Sequence, residues 1–184
     1  MVQDFELKSV DVDNEDEVKP AEVLTISFSV VNTANETFEN IQTDMWFEKS
    51  SSVKLHDNND DIIRPSFDLN DIDAGDDKSV DYDLTIPWDV KNGERYEIIV
   101  RMKGRNSTSN MIQTFQETIG SFKIVKENTE LYLNASFNPL RVTCGDDADL
   151  HIAVRDIGGN DESGVNLTAV NKVIGIEIRE LFDM

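Results

Sequence analysis

The sequence predicts an all-β chain, an immunoglobulin-like β-sandwich followed by a second, incomplete β-sandwich-like repeat. Three observations lead there. Apolar residues recur with period two, clusters of Gly, Asn and Asp separate the alternating runs, and no stretch has the apolar spacing of an amphipathic helix.

The first run, near residues 4–12, alternates from the start of MVQDFELKSV. In the second, 22–31, Leu24, Ile26, Phe28 and Val30 alternate with Thr25, Ser27 and Ser29, so one face meets a core and the other meets water. After a turn at 32–35, the third run at 38–48 carries Ile41, Thr43, Met45 and Phe47. A short strand is expected at 52–56, before the turn cluster 57–61. Val80, Tyr82, Leu84 and Ile86 define 78–86, and Tyr96, Ile98, Val100 and Met102 define 95–103. Residues 114–125, with Phe122 and Ile124, end the domain. Strands with one apolar face each need opposing apolar faces, which a two-sheet sandwich supplies. Tyr96 begins a late strand, where a tyrosine corner would place its hydroxyl on the backbone upstream; an ordinary sheet tyrosine is the other reading.

A shift of 124 positions lays residues 18–30 over 142–154 without a gap, with apolar positions superposed. The turn at 32–35 then falls on 156–159 and Ile41 on Val165, so the register survives a whole connection. The domains are therefore 1–126 and a partial second repeat at 129–184, with strands near 130–137, 147–155, 164–170 and 173–180. The short linker between them implies a stiff end-to-end array. The second repeat presents the rows Leu131-Leu133-Ala135-Phe137, Ala148-Leu150-Ile152-Val154 and Ile174-Ile176-Ile178, which invite association. Completion by another subunit or by a longer chain is expected, rather than packing onto the first domain.

Charge narrows the function. The 184 residues hold 17 Lys+Arg against 37 Asp+Glu, a net charge of −20, which repels phosphate backbones and anionic membranes and excludes nucleic-acid binding. The acidity fits a solvated surface, calcium ligation in loops, or adaptation to high salt. The longest apolar run is three residues, far short of the roughly 20 that a membrane helix needs. The N-terminus has neither a basic n-region nor an apolar h-region, so either the protein is not exported or these residues are a processed piece.

No catalytic residue and no cofactor site is expected. One cysteine, Cys144, cannot close an internal disulfide, and two histidines, His56 and His151, do not make a His-rich metal site or a Ser-His-Asp triad. Cys144 sits in a turn before a strand, and the alternation points His151 away from the core-facing Leu150 and Ile152. Acidic clusters at 11–17, 56–61 and 68–77 are the other chemical signal. Asp71, Asp73, Asp76 and Asp77 around Gly75 are calcium candidates, because hard oxygen ligands on turns suit that ion, although the EF-hand spacing and its terminal Glu are absent. Asn-x-Ser/Thr acceptors for glycans occur at Asn35, Asn106, Asn134 and Asn166, the first two in predicted loops and the others in or beside strands.

The run KPAEVLTISFSVVNT at 19–33, the segment IDAGDD at 72–77 before a strand ending Leu84-Thr85-Ile86-Pro87, and NGERYEI at 92–98 resemble the cell-adhesion-related (CARDB-like) immunoglobulin-type domains of prokaryotic surface proteins. Archaeal S-layer and S-layer-like proteins carry similar tandem units. The resemblance covers residues 4–125 and, more faintly, 129–170. It implies a structural or adhesive, non-enzymatic role at the cell exterior, as an S-layer or stalk component, with other subunits or repeats of the same assembly as partners. The alternative from another class is an accessory carbohydrate-binding module of a secreted hydrolase. That reading needs an aromatic platform, for which Trp46, expected to point opposite to Met45 and Phe47, and Trp88 are candidates.

Overall fold

Period-two alternation becomes eleven strands among the described residues of the computed structural model, which are 4–12, 17–138, 149–171 and 176–184. Cys144, Ala148, Ile174 and part of the acidic loop at 11–17 lie outside them. The chain divides into two units, Met1–Val125 and Lys126–Met184.

In unit 1, β1 (Phe5–Val12), β2 (Val23–Asn32) and β5 (Asp77–Thr85) form one antiparallel sheet in the order β1-β2-β5. β3 (Phe38–Glu48), β4 (Ser66–Ile72), β6 (Arg95–Asn106) and β7 (Ile112–Lys123) form a second, in the order β4-β3-β6-β7. Both sheets send one row of side chains into a shared core. Leu24, Ile26, Phe28 and Val30 of β2 join Met45 and Phe47 of β3 and Ile98, Val100 and Met102 of β6, all buried. The apolar rows of β2 and β6 thus belong to one core. Ring contacts tighten it, with Phe47 to Phe122 at 6.0 Å and Phe5 to Phe38 at 4.5 Å between centroids. Gly104 is small for a reason: a Cβ there would lie 3.0 Å from Ile41 Cγ1 and 3.2 Å from Phe5 Cζ.

Two expectations about strands need correction. Residues 52–56 form isolated bridges rather than a strand, because the chain leaves β3 in a turn closed by Lys49 N–H to Val53 O and by Ser52, which has a φ of +62°. The remaining strand of the second sheet is β4, which the sequence had presented as part of an acidic cluster. Its pairing with β3 shifts register around Asn40 and Asn70, both in the left-handed region that Asn tolerates.

Asn32 organises the corner where β2 ends. Fully buried, it donates through Nδ2 to Glu36 O and Ile72 O, and its Oδ1 accepts from Ala34 N–H at 3.0 Å. Its backbone pairs with the 73–76 turn, through Asn32 N–H to Asp76 O and Gly75 N–H to Asn32 O. Gly75 supplies the turn with a φ of +83°.

Unit 2 contains two antiparallel pairs, β8 (Leu131–Asn138) with β9 (Asp149–Asp156), and β10 (Val165–Asn171) with β11 (Ile176–Phe182). The β8–β9 pair occupies the place of β1–β2 at the shift of 124, and one bond of the corner repeats. Asp156, the counterpart of Asn32, accepts through Oδ1 from Gly158 N–H at 2.9 Å, as Asn32 accepts from Ala34. Among the described residues of unit 2 the one fully buried apolar side chain is Ile157.

Candidate functional site

The polar face of the second sheet carries the densest charge network. Asp44 of β3 accepts from Ser66 Oγ at 2.7 Å, from Arg64 Nη2 at 3.0 Å and from Arg101 Nη2. The Ser66 hydroxyl, with both guanidinium groups, outweighs partial burial and holds the Asp44 carboxyl at about 2. Beside it, Trp46 points out of the core as the alternation requires, yet it is only 8% exposed, which corrects the expectation of an open ring. Lys54, Arg64 and Arg101 stand over the indole at 6.0, 5.6 and 5.9 Å, and Nε1 donates to Glu48 at 3.0 Å. Long cationic side chains shield an outward aromatic that alternation alone would leave wet. A sugar platform needs a bare ring face, so Trp46 is not one. Trp88 is half-buried, its backbone N–H held by Asn58 Oδ1 at 3.0 Å.

Tyr96 is buried at the start of β6, but its hydroxyl donates to the Glu94 carboxylate at 2.9 Å, not to upstream backbone. Glu94 also pairs with Lys49 at 2.8 Å, and Lys49 lies 5.5 Å above the Tyr96 ring. Burial pushes Glu94 upward, but Lys49 and Tyr96 together hold it below its ordinary value. Burial and the Glu94 carboxylate raise Tyr96. These groups line a hollow of about 180 Å³ with His56 and Asp89. Lys49, Glu94 and Tyr96 satisfy one another and brace this end of the sandwich.

The calcium candidates are dispersed. Asp71 Oδ1 accepts from Asn40 N–H and Asp73 Oδ1 from the Thr37 hydroxyl, Asp76 lies in the turn, and Asp77 opens β5 opposite Val31. Among the described residues no three His, Cys, Asp or Glu side chains are placed to hold a metal ion. In the 57–61 loop, Asp57 is held below its ordinary value by the N–H groups of Asp61 and Asn59. Of the glycan acceptors, Asn35 is exposed in the turn after β2, and Asn134 and Asn166 are exposed on β8 and β10. Asn106 is not in a loop: it ends β6, is buried, and accepts through Oδ1 from Thr108 N–H and from Ser109 N–H and Oγ. His151 lies on the polar face of β9, opposite Ser136. Cys144 lies outside the described residues.

An apolar concavity lies in unit 2. Leu133, Phe137, Leu150 and Ile152 from one pair and Leu167 and Ala169 from the other line a cleft of about 300 Å³. Leu133 remains 58% exposed. Sequence reasoning anticipated the rows that hold Leu133, Phe137, Leu150 and Ile152, but not Leu167 and Ala169, the cation-covered Trp46 or the Lys49–Glu94–Tyr96 brace.

No protein-family model matches the sequence, and neither does any curated protein. Solved structures match only at low similarity. The sporulation control protein Spo0M from Bacillus subtilis is 11% identical, with 99% of this chain and 91% of that one covered and a TM-score of 0.39. The C-terminal domain of Wzt is 10% identical over 60% of this chain and 64% of its own, with a TM-score of 0.44. The Pseudomonas fluorescens alkylpurine DNA glycosylase AlkC is 14% identical over 66% of this chain, with a TM-score of 0.39, and this chain covers 30% of it.

Proposed function

We propose that the protein is a non-enzymatic structural or adhesive component of the cell exterior, built from tandem immunoglobulin-like repeats of the CARDB-like kind, in an S-layer or stalk. The observation that carries this reading is repetition: one antiparallel pair, closed by one side-chain-to-backbone corner, recurs after 124 residues. The strand order supports the immunoglobulin-like assignment, since β1-β2-β5 and β4-β3-β6-β7 follow the A-B-E and C′-C-F-G arrangement of such sandwiches. Two-stranded pairs seldom persist alone, so the open cleft of unit 2 supports a role in which other subunits of the same assembly cover it.

Antibodies raised against the folded chain test the location. Labelling of intact cells is expected, in a layer or in discrete projections. Labelling that appears only after permeabilisation overturns the proposal. The cleft has its own test: Leu133→Asp should weaken concentration-dependent association seen by sedimentation, and an unchanged profile removes the cleft from the assembly.

A further inference from the structure

In unit 1 the outward row of β5 and the C-terminal end of the outward row of β6, on opposite sheets, carry opposite charge. On β5, Asp77, Asp81 and Asp83 are exposed, and β1 adds Glu6 and Asp11, with Lys8 tied to Glu6 at 3.2 Å. Asp81 and Asp83 are held side by side by hydroxyls of the adjacent strand, Ser27 Oγ to Asp81 at 2.7 Å and Thr25 Oγ1 to Asp83 at 2.8 Å. On the other sheet, the outward row of β6 passes from Arg95, Glu97 and Ile99 to Arg101, Lys103 and Arg105, in a protein whose acids outnumber its bases by more than two to one. Arg101 is engaged with Asp44. Lys103 is flanked across the ladder by the neutral Gln42 and Thr114, and Arg105 by Glu39 and Ile112. Lys103 and Arg105 line a shallow hollow of about 180 Å³.

We propose that copies of this chain associate face to back through unit 1, with the Asp81–Asp83 row of one copy seated on the Lys103–Arg105 row of the next. Both rows use alternate residues of a strand, so their charges share a spacing of roughly 6.5–7 Å and pair two for two. The hydroxyl bonds fix the carboxylates before contact, and small Ser and Thr side chains beside them permit close approach. The rows lie on opposite layers of the same sandwich, so each copy offers both at once. Such a contact is heterologous and extends from copy to copy rather than closing. It rests on the assembly reading above only for its biological setting.

The test uses the full chain, sedimentation at low and high salt, and two charge reversals, Asp81→Lys/Asp83→Lys and Lys103→Glu/Arg105→Glu, with thermal melts to check folding. Wild type should associate at low salt and dissociate as ionic strength shortens the reach of the charges. Each double variant should associate at least about tenfold more weakly, and mixing the two should restore association between unlike partners. The milder Asp81→Asn/Asp83→Asn variant serves if a reversal fails to fold. A chain that stays monomeric at low salt, variants that associate like wild type, or a mixture that shows no rescue overturns the proposal. Leu133→Asp leaves the salt-sensitive step intact if the two surfaces are separate, and labelling of cells reports on location independently.

Discussion

Replacing Asp44 with Asn removes one charge from the polar face of the second sheet while keeping size and an acceptor for Ser66. The carboxyl stands at about 2 instead of 3.8, because Ser66, Arg101 and Arg64 favour its charged form. At about 1.4 kcal/mol per tenfold, that preference corresponds to about 2–2.5 kcal/mol. A side chain 25% exposed is partly screened, so about 1–2 kcal/mol should survive as stability. The sign follows from a folded value below the unfolded one: the contribution is complete above about pH 4 and fades as pH falls toward about 2. Urea unfolding of wild type and Asp44→Asn across this range measures it as a gap that is open near neutrality and closes in acid. Because both chains share every other carboxylate, their difference isolates this one. Direct titration of the Asp44 carboxyl by NMR, with Ser66→Ala moving it back toward 3.8, checks the cause. An Asp44 that titrates at its ordinary value, or a gap that stays flat with pH, refutes the reasoning.

Phe28, 1% exposed in the shared core, should cost about 3–5 kcal/mol when truncated to Ala, and a loss under about 1 kcal/mol in chemical denaturation would place it outside the core. Gly104→Ala forces a methyl against Ile41 and Phe5 and should destabilise by about 1–3 kcal/mol, where a neutral melt would show that β1 and β3 yield freely. Asn32→Ala strips three side-chain hydrogen bonds from a buried corner and should cost about 2–4 kcal/mol. Asp156→Ala removes the repeated single bond and should cost about 1 kcal/mol, and equal losses at both sites would deny the asymmetry of the two corners.

Alternation made most of the fold legible. Rows such as Leu24-Ile26-Phe28-Val30 declare which face is buried, and the structure seats them in the core. β4 was hidden because Asp68, Asn70 and Asp71 dominate its composition and the register break at Asn70 spoils the period that Phe67 and Leu69 begin. The strand expected at 52–56 was a false positive of the opposite kind, an apolar Leu55 buried from an irregular segment through Leu55 N–H to Phe47 O. Period two told the direction of Trp46 but not its cover, since Arg64 and Arg101 reach it from the segment before β4 and from β6, respectively. Tyr96 likewise occupied the expected place with a different partner, Glu94.

The pairing of β2 with β5 has a kinetic consequence. Thr25 meets Asp83, Ser27 meets Asp81 and Ser29 meets Ser79 across 58, 54 and 50 positions of chain, so closing the first sheet closes a loop that contains β3 and β4 of the opposite layer. Closing such loops costs entropy before any contact repays it, which places unit 1 among domains that fold in milliseconds to seconds. In unit 2, β8–β9 and β10–β11 each join neighbours in sequence, and pairs of that kind form in about 1–10 μs. Newly unfolded chains should therefore present the apolar rows of unit 2 already aligned while unit 1 is still searching for its β5 partner, and refolding yield should fall as protein concentration rises.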